Sequence, residues 1–348
     1  MLHVATRKGL FTLDASGKIV DFAHPAEPVT AVLPLADRLL VALRHGHFGV
    51  KIHERLGGTW REIPAPAFPE KPADEEDPAA WTVDQVWTLD ASSDGTVWAG
   101  TLPGAVFRRD GDGWVLSRSL WDRPERRRWF GGGYDLSGVH SIVTRPDQPD
   151  RLILGISCGG VWRSDDRGGT WHQEGLGLEA DFMPPERARE LVNQDPHRLA
   201  ACAAHPDRVW MQHHNGVFRS DDGGCTWTRL FPTPAFGFGV AAHPTDPDTA
   251  WFVPGERDSA RIPLGGAVTV TRTRDAGKTF ETLRVGLPQQ HAYDLTYRHA
   301  LAVDATGDRL AFGSTTGNLY LSDNGGASWR CASHHLPPIY AVRFGATS

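Results

Sequence analysis

The stretch S-D-D-R-G-G-T-W, Ser164 to Trp171, decides the fold. An acidic side chain at its third position can accept bonds from the backbone N–H groups of a turn. The glycine at the fifth supplies the positive φ of a tight hairpin, and the closing tryptophan gives the next strand a large apolar face. The pattern returns as S-D-D-G-G-C-T-W (Ser220 to Trp227), T-R-D-A-G-K-T-F (Thr273 to Phe280) and S-D-N-G-G-A-S-W (Ser322 to Trp329). Two worn copies end at Trp60 (R-L-G-G-T-W) and Trp114 (D-G-D-G-W). The closing aromatics at 60, 114, 171, 227, 280 and 329 are 49 to 57 residues apart, the length of one four-stranded propeller blade. A seventh blade comes from the two ends. Gly9-Leu10-Phe11 matches the strand that precedes a turn elsewhere (Gly160-Val161-Trp162, Gly216-Val217-Phe218), and Ile339 to Phe344 is a β run with no partner nearby in sequence. With residues 1–23 supplying three strands and the C-terminal run the innermost, the sheet edges close. The expectation is an all-β fold, one seven-bladed β-propeller domain over residues 1–348 with four-stranded antiparallel blades.

Bulk properties exclude several functions. A net charge of −6 and a pI near 6.2 argue against a nucleic-acid partner, since phosphate binding needs a basic face. The one basic run, Arg126-Arg127-Arg128, reads as a solvated loop beside Glu125 and Asp122. Cys158, Cys202, Cys225 and Cys331 lack C-x-x-C spacing, which argues against both a disulfide framework and a structural zinc site. No apolar run approaches the ~20 residues of a membrane helix, and no signal peptide is visible at the start. The expected location is cytoplasmic, with no membrane partner.

In such a propeller the repeated turns join strands C and D, counted outward from the axis, and share a face with the A–B turns. The other face gathers the B–C turns and the D–A connections. The three longest of these, near 62–80, 117–138 and 173–196, mark it as the working face. Nine of the 16 histidines are assigned to it: His45, His47, His140, His197, His213, His214, His291, His334 and His335. Imidazole transfers protons near neutral pH and is the commonest metal ligand. His140, His214, Glu186, Asp195, His197 and Tyr293 are the catalytic candidates. Arg44, Tyr134, Asp135, Gln212, His291 and His335 are the substrate-binding candidates. His45, His47, His140 and His214 are candidate ligands for a divalent metal, the one cofactor that the pattern suggests.

The repeated turn closely resembles the Asp-box, or BNR, repeat, in which the box is a structural hairpin. Beyond it, R-H-G-H-F-G (44–49), G-G-Y-D (132–135), S-C-G-G-V-W (157–162), Q-D-P-H (194–197) and Q-H-H-N-G (212–216) look like a bacterial family of BNR-repeat proteins labelled glycosyl hydrolase or exo-sialidase. A glycan-like or other small-molecule ligand is what that resemblance implies. A true exo-sialidase is the least favoured reading on residues: the only R-I-P, Arg261-Ile262-Pro263, follows Ala260 and lies in the wrong blade, and sialidase domains have six blades. Two classes remain. One is an enzyme of hydrolase or lyase type acting on a small polar or sugar-like substrate, with or without metal assistance. The other is a non-catalytic propeller that binds a ligand or a protein, similar in kind to photosystem assembly factors.

Overall fold

The computed structural model describes residues 1–345 except 74, 78, 132–133 and 232–235. Gly132 and Gly133 of the G-G-Y-D stretch therefore lie outside the described residues. Seven antiparallel sheets follow one another along the chain. Blade 2 begins at Val29, blade 3 at Gln85, blade 4 at Val139, blade 5 at Pro196, blade 6 at Gly237 and blade 7 at Leu301. Blade 1 is closed by the chain ends: Ile339–Phe344 pairs antiparallel with Leu2–Thr6, which pairs with Gly9–Leu13 and then Ile19–Ala23. Blade 6 carries an extra strand, Ala260–Pro263, on an extension of Ala250–Arg257.

Apolar packing is divided into wedges between blades. Ala31, Leu40 and Ile52 of blade 2 pack with Val86, Leu89 and Phe107 of blade 3. Equivalent clusters fill each remaining junction, including the closing one, where Leu2, Val4 and Val342 meet Ala311, Leu319 and Leu321. The closing aromatics of the repeat occupy the same place each time, against the preceding blade. Trp171, Trp227 and Trp329 are members of these wedges, and Trp60, Trp114 and Phe280 pack on their margins.

The four well-kept turns share one hydrogen-bond pattern. In blade 5, Asp222 Oδ1 accepts from Ser220 Oγ at 2.7 Å and from the Thr226 N–H at 2.9 Å, while Ser220 Oγ accepts from the Gly224 N–H at 2.8 Å. Asp166 and Asp275 make the same set, and Asn324 replaces them in blade 7. Gly224 has φ +90°, a conformation that costs glycine little.

The long D–A connections run over 64–84, 117–138 and 175–195. They are tied to one another by the basic run, in which Arg127 and Arg128 are exposed as a solvated segment would be, while Arg126 is largely buried. Arg126 pairs with Asp77 and lies 3.8 Å from the Trp121 ring centroid, Arg127 reaches Glu75 at 3.0 Å, and Arg128 pairs with Glu190. No helix among the described residues is long and apolar enough to cross a membrane.

Candidate functional site

A cavity of about 1180 Å³ opens on the face away from the repeated turns. Its wall comes from B–C turns and D–A connections: Arg7 of blade 1, Glu27 and Pro28 entering blade 2, Arg44 and His45 of blade 2, Asp84 and Trp87 entering blade 3. Tyr134, Arg261, Tyr297, Arg298, His299 and Tyr340 complete the far side. The cavity is large for a small-molecule site, where ~300–1,000 Å³ is usual, so it has room for more than one sugar ring.

Of the expected substrate-binding residues, Arg44 and Tyr134 line this cavity. Arg44 Nη2 donates to both oxygens of Asp84 at 2.8 Å. Tyr134 is 45 % exposed and meets the Trp87 ring edge-on. The phenol oxygens of Tyr134, Tyr297 and Tyr340 have no hydrogen-bond partner among the described residues, so all three are free for a ligand. Asp135, His291 and His335 are exposed and outside the cavity wall. Gln212 is buried, its amide spent on the carbonyls of His213 and Gly216.

The nine histidines do not converge as expected: only His45 is in the wall. His47 is exposed and packs on Phe48. His140 is fully buried. Its Nε2 must donate to the Pro196 carbonyl at 2.8 Å, so its Nδ1 accepts from Ser141 Oγ at 3.0 Å. Burial first, then Arg298, holds its pKa well below the ordinary value. With both nitrogens spent, His140 is a packing element and neither a catalyst nor a metal ligand. Glu186 and Tyr293 are exposed and also outside the cavity wall.

Asp195, His197 and His214 do come together, with one ligand-capable atom of each within 4.8 Å of the others. Asp195 Oδ2 lies 3.3 Å from His197 Nε2 and 3.4 Å from His214 Nδ1. Its Oδ1 accepts from the Cys158 N–H at 3.1 Å and from Ser157 Oγ at 3.3 Å. Burial works against its charge, but His197, His214 and Arg298 outweigh that and hold the carboxyl well below the usual range. The side chains of Asp195 and His197 are 2 % exposed, so neither can touch a substrate, whereas that of His214 is 21 % exposed. His45, His47 and His140 belong to no such group among the described residues. Cys158 is no nucleophile: burial pushes its thiol far up.

Residues that sequence reasoning missed carry most of the wall. Arg298 and His299 sit on the connection into blade 7 within Y-R-H-A, which matches no motif. Arg298 is 6 % exposed, between the rings of Trp87 (4.9 Å) and Phe238 (5.1 Å). Phe238 in turn stacks on His197 at 4.5 Å. Glu27 keeps a buried Oε2 with no partner. Arg261 reaches the cavity but is tied to Asp258 at 2.5 Å.

No protein-family model matches the chain. Over 162 residues it is 27% identical to a xyloglucanase of Paenibacillus sp, covering 39% of this chain and 15% of that one. Over 166 residues it is 31% identical to a probable oligoxyloglucan-reducing end-specific xyloglucanase of Neosartorya fischeri, covering 45% and 19%. It thus spans less than a fifth of the curated relatives it matches. Among solved structures, an ancestral GH74 enzyme superposes with a TM-score of 0.56 at 16% identity, over 84% of this chain and 36% of that one. YCF48 from Cyanidioschyzon merolae gives 0.52 at 12% identity, over 88% and 84%. The relatives in sequence are glycoside hydrolases; the structural likeness establishes the propeller.

Proposed function

We propose that the cavity takes a sugar-like ligand and that the protein is a glycoside-hydrolase-like enzyme. The observation that carries this reading is the wall itself: Trp87 and three tyrosines with free phenols surround a cavity of oligosaccharide size. Aromatic faces cover the C–H faces of sugars, and phenols trade hydrogen bonds with their hydroxyls. The xyloglucanase relatives support the same class of ligand. Glycoside hydrolysis needs two carboxyl groups, one to give a proton and one to act as base or nucleophile. Among the described residues, Glu27 and Asp84 are the two carboxylates in the wall. Glu27, with an unpaired oxygen, is the proton donor in this reading. Asp84, oriented by Arg44, is its partner. The repeated turns are Asp boxes with a structural role.

A buried divalent ion at Asp195, His197 and His214 is part of the proposal, on one specific observation. His197 Nδ1 donates to the Gly237 carbonyl at 2.6 Å, so its Nε2 faces the carboxylate oxygen. Burial disfavours a second ring proton, yet without one two lone pairs meet. A cation between them removes the conflict, and the Nδ1–H to carbonyl bond is the support that metal-bound histidines usually have. The ion would fix the loop 175–195 and Asp195, away from the ligand.

The test is release of reducing ends from xyloglucan oligosaccharides and aryl glycosides. Wild type is expected to turn over at least one, with Glu27→Gln and Asp84→Asn losing about 10²-fold or more in kcat while still binding. Binding without turnover in the wild type would favour the non-catalytic propeller. No binding of any sugar would end the proposal.

A further inference from the structure

A neutral sugar leaves one feature of this cavity without a purpose. Arg298 is buried, yet among the described residues its Nε and Nη2 have no hydrogen-bond partner and no carboxylate is within ion-pair distance. A guanidinium does not release its proton in a protein, so the charge stays. A buried charge with its donors unsatisfied is among the costliest features a fold can keep. Asp195 is the carboxylate that acts on it most strongly, but that group is already shared by His197, His214, Ser157 and Cys158.

The surroundings say what is missing. The guanidinium carbon lies 4.9 Å from the Trp87 ring centroid and 5.1 Å from that of Phe238, contacts that satisfy none of its N–H groups with an acceptor oxygen and leave them for a planar one. The neighbouring arginines are not in the same state. Arg44 is neutralised by Asp84 and Arg261 by Asp258.

We propose that the ligand of this cavity carries a carboxylate that Arg298 receives with two parallel hydrogen bonds, which makes the ligand class an acidic sugar of the uronate kind. This rests on the sugar-ligand reading above and narrows it. One buried unpaired cation matches one negative charge. A phosphate would bring a second, and among the described residues of the wall only the exposed Arg7 is left to meet it, with no lysine. Glucuronate and glucose differ only at C6, carboxylate against hydroxymethyl, so the pair isolates this one contact.

The experiment is calorimetric titration of the full chain with D-glucuronate, D-glucose, D-glucose 6-phosphate and acetate, for wild type and Arg298→Gln. Wild type is expected to bind glucuronate about tenfold or more tighter than glucose, and glucose 6-phosphate no better than glucose. Arg298→Gln is expected to lose that preference while its glucose affinity stays within about twofold. Its ligand-free melting temperature is expected to rise, because an unpaired buried charge is gone; a purely structural arginine would give a fall. Should Arg298→Gln not fold, Arg298→Lys keeps the charge without the paired donors, and the glucuronate preference must shrink in it too. Equal wild-type affinity for glucuronate and glucose, or a preference untouched by the substitution, overturns the acidic-sugar assignment and leaves the sugar reading standing. Tightest binding of the phosphate overturns the choice of carboxylate. Arg298-dependent binding of acetate without binding of either sugar keeps the anion site and overturns the sugar reading. No binding of any probe overturns both.

Discussion

At the scale of residues, burial decides which polar side chains can act. His140 looks reactive in a sequence and His299 does not stand out, yet both are buried and held neutral, their pKa values pushed well below 6.5 by burial first and then by the nearby arginines. His299 Nε2 donates to the His140 carbonyl, and Arg198, Arg298, Arg343, Asp195 and His197 are the charged or titratable groups that act on the pair. The unfolded chain therefore binds protons that the folded one refuses, so stability is fully present above about pH 6.5 and lost as pH falls below it. Between pH 7 and pH 5 each of the two is expected to cost about 2 kcal/mol. Urea unfolding at both pH values measures this, with a smaller loss in His140→Gln, and equal stability at the two would count against it. The Asp195 group yields a second expectation. After metal-replete purification, elemental analysis should find about one divalent ion per chain. In His214→Ala the content should be clearly lower, while in His47→Ala, outside the group, it should be unchanged. Sub-stoichiometric metal in all three would retire the ion.

At the scale of elements, the repeat was legible because each part of the turn has one physical task and the tasks recur at even spacing. Asp222 gathers Ser220, Cys225 and Thr226 around one carboxylate. Asp222→Ala removes these acceptors from an exposed turn, for an expected loss of about 1–2 kcal/mol. Ligand affinity should be unchanged, because the turn lies on the opposite face; a thermal melt with a binding isotherm checks both. The cavity was less legible. The working face and its long loops followed from topology, and Arg44, His45 and Tyr134 were found that way. Which side chains turn inward depends on the register of each connection. Asp195 and His197 are on the expected segment but point into the blade, whereas Arg298 and Trp87, on segments with no motif, reach the cavity. Arg126 was misread for a related reason: its partner Asp77 is in another loop, and sequence proximity showed only Glu125 and Asp122.

At the scale of the whole molecule, stability is a ring of seven wedges, and the ring depends on one clasp. Ile339–Phe344 supplies the innermost strand of blade 1 and packs Ile339 and Val342 against blade 7. Deleting residues 337–348 leaves an open edge and half-emptied wedges on both sides. The truncated chain is expected to aggregate or to melt well below wild type, and a soluble truncate with an unchanged midpoint would contradict the closure. The same ring keeps turns and cavity on opposite faces, which lets one comparison test the central claim that the cavity binds a sugar-like ligand. The measurement is affinity for the tightest-binding sugar in wild type, Tyr134→Ala and Asp222→Ala, with the melting temperature of each. The account requires Tyr134→Ala to weaken binding about tenfold at near wild-type stability, and Asp222→Ala to lose stability and keep its affinity. The reverse pattern, with affinity lost from the turn and untouched at the mouth, would contradict it.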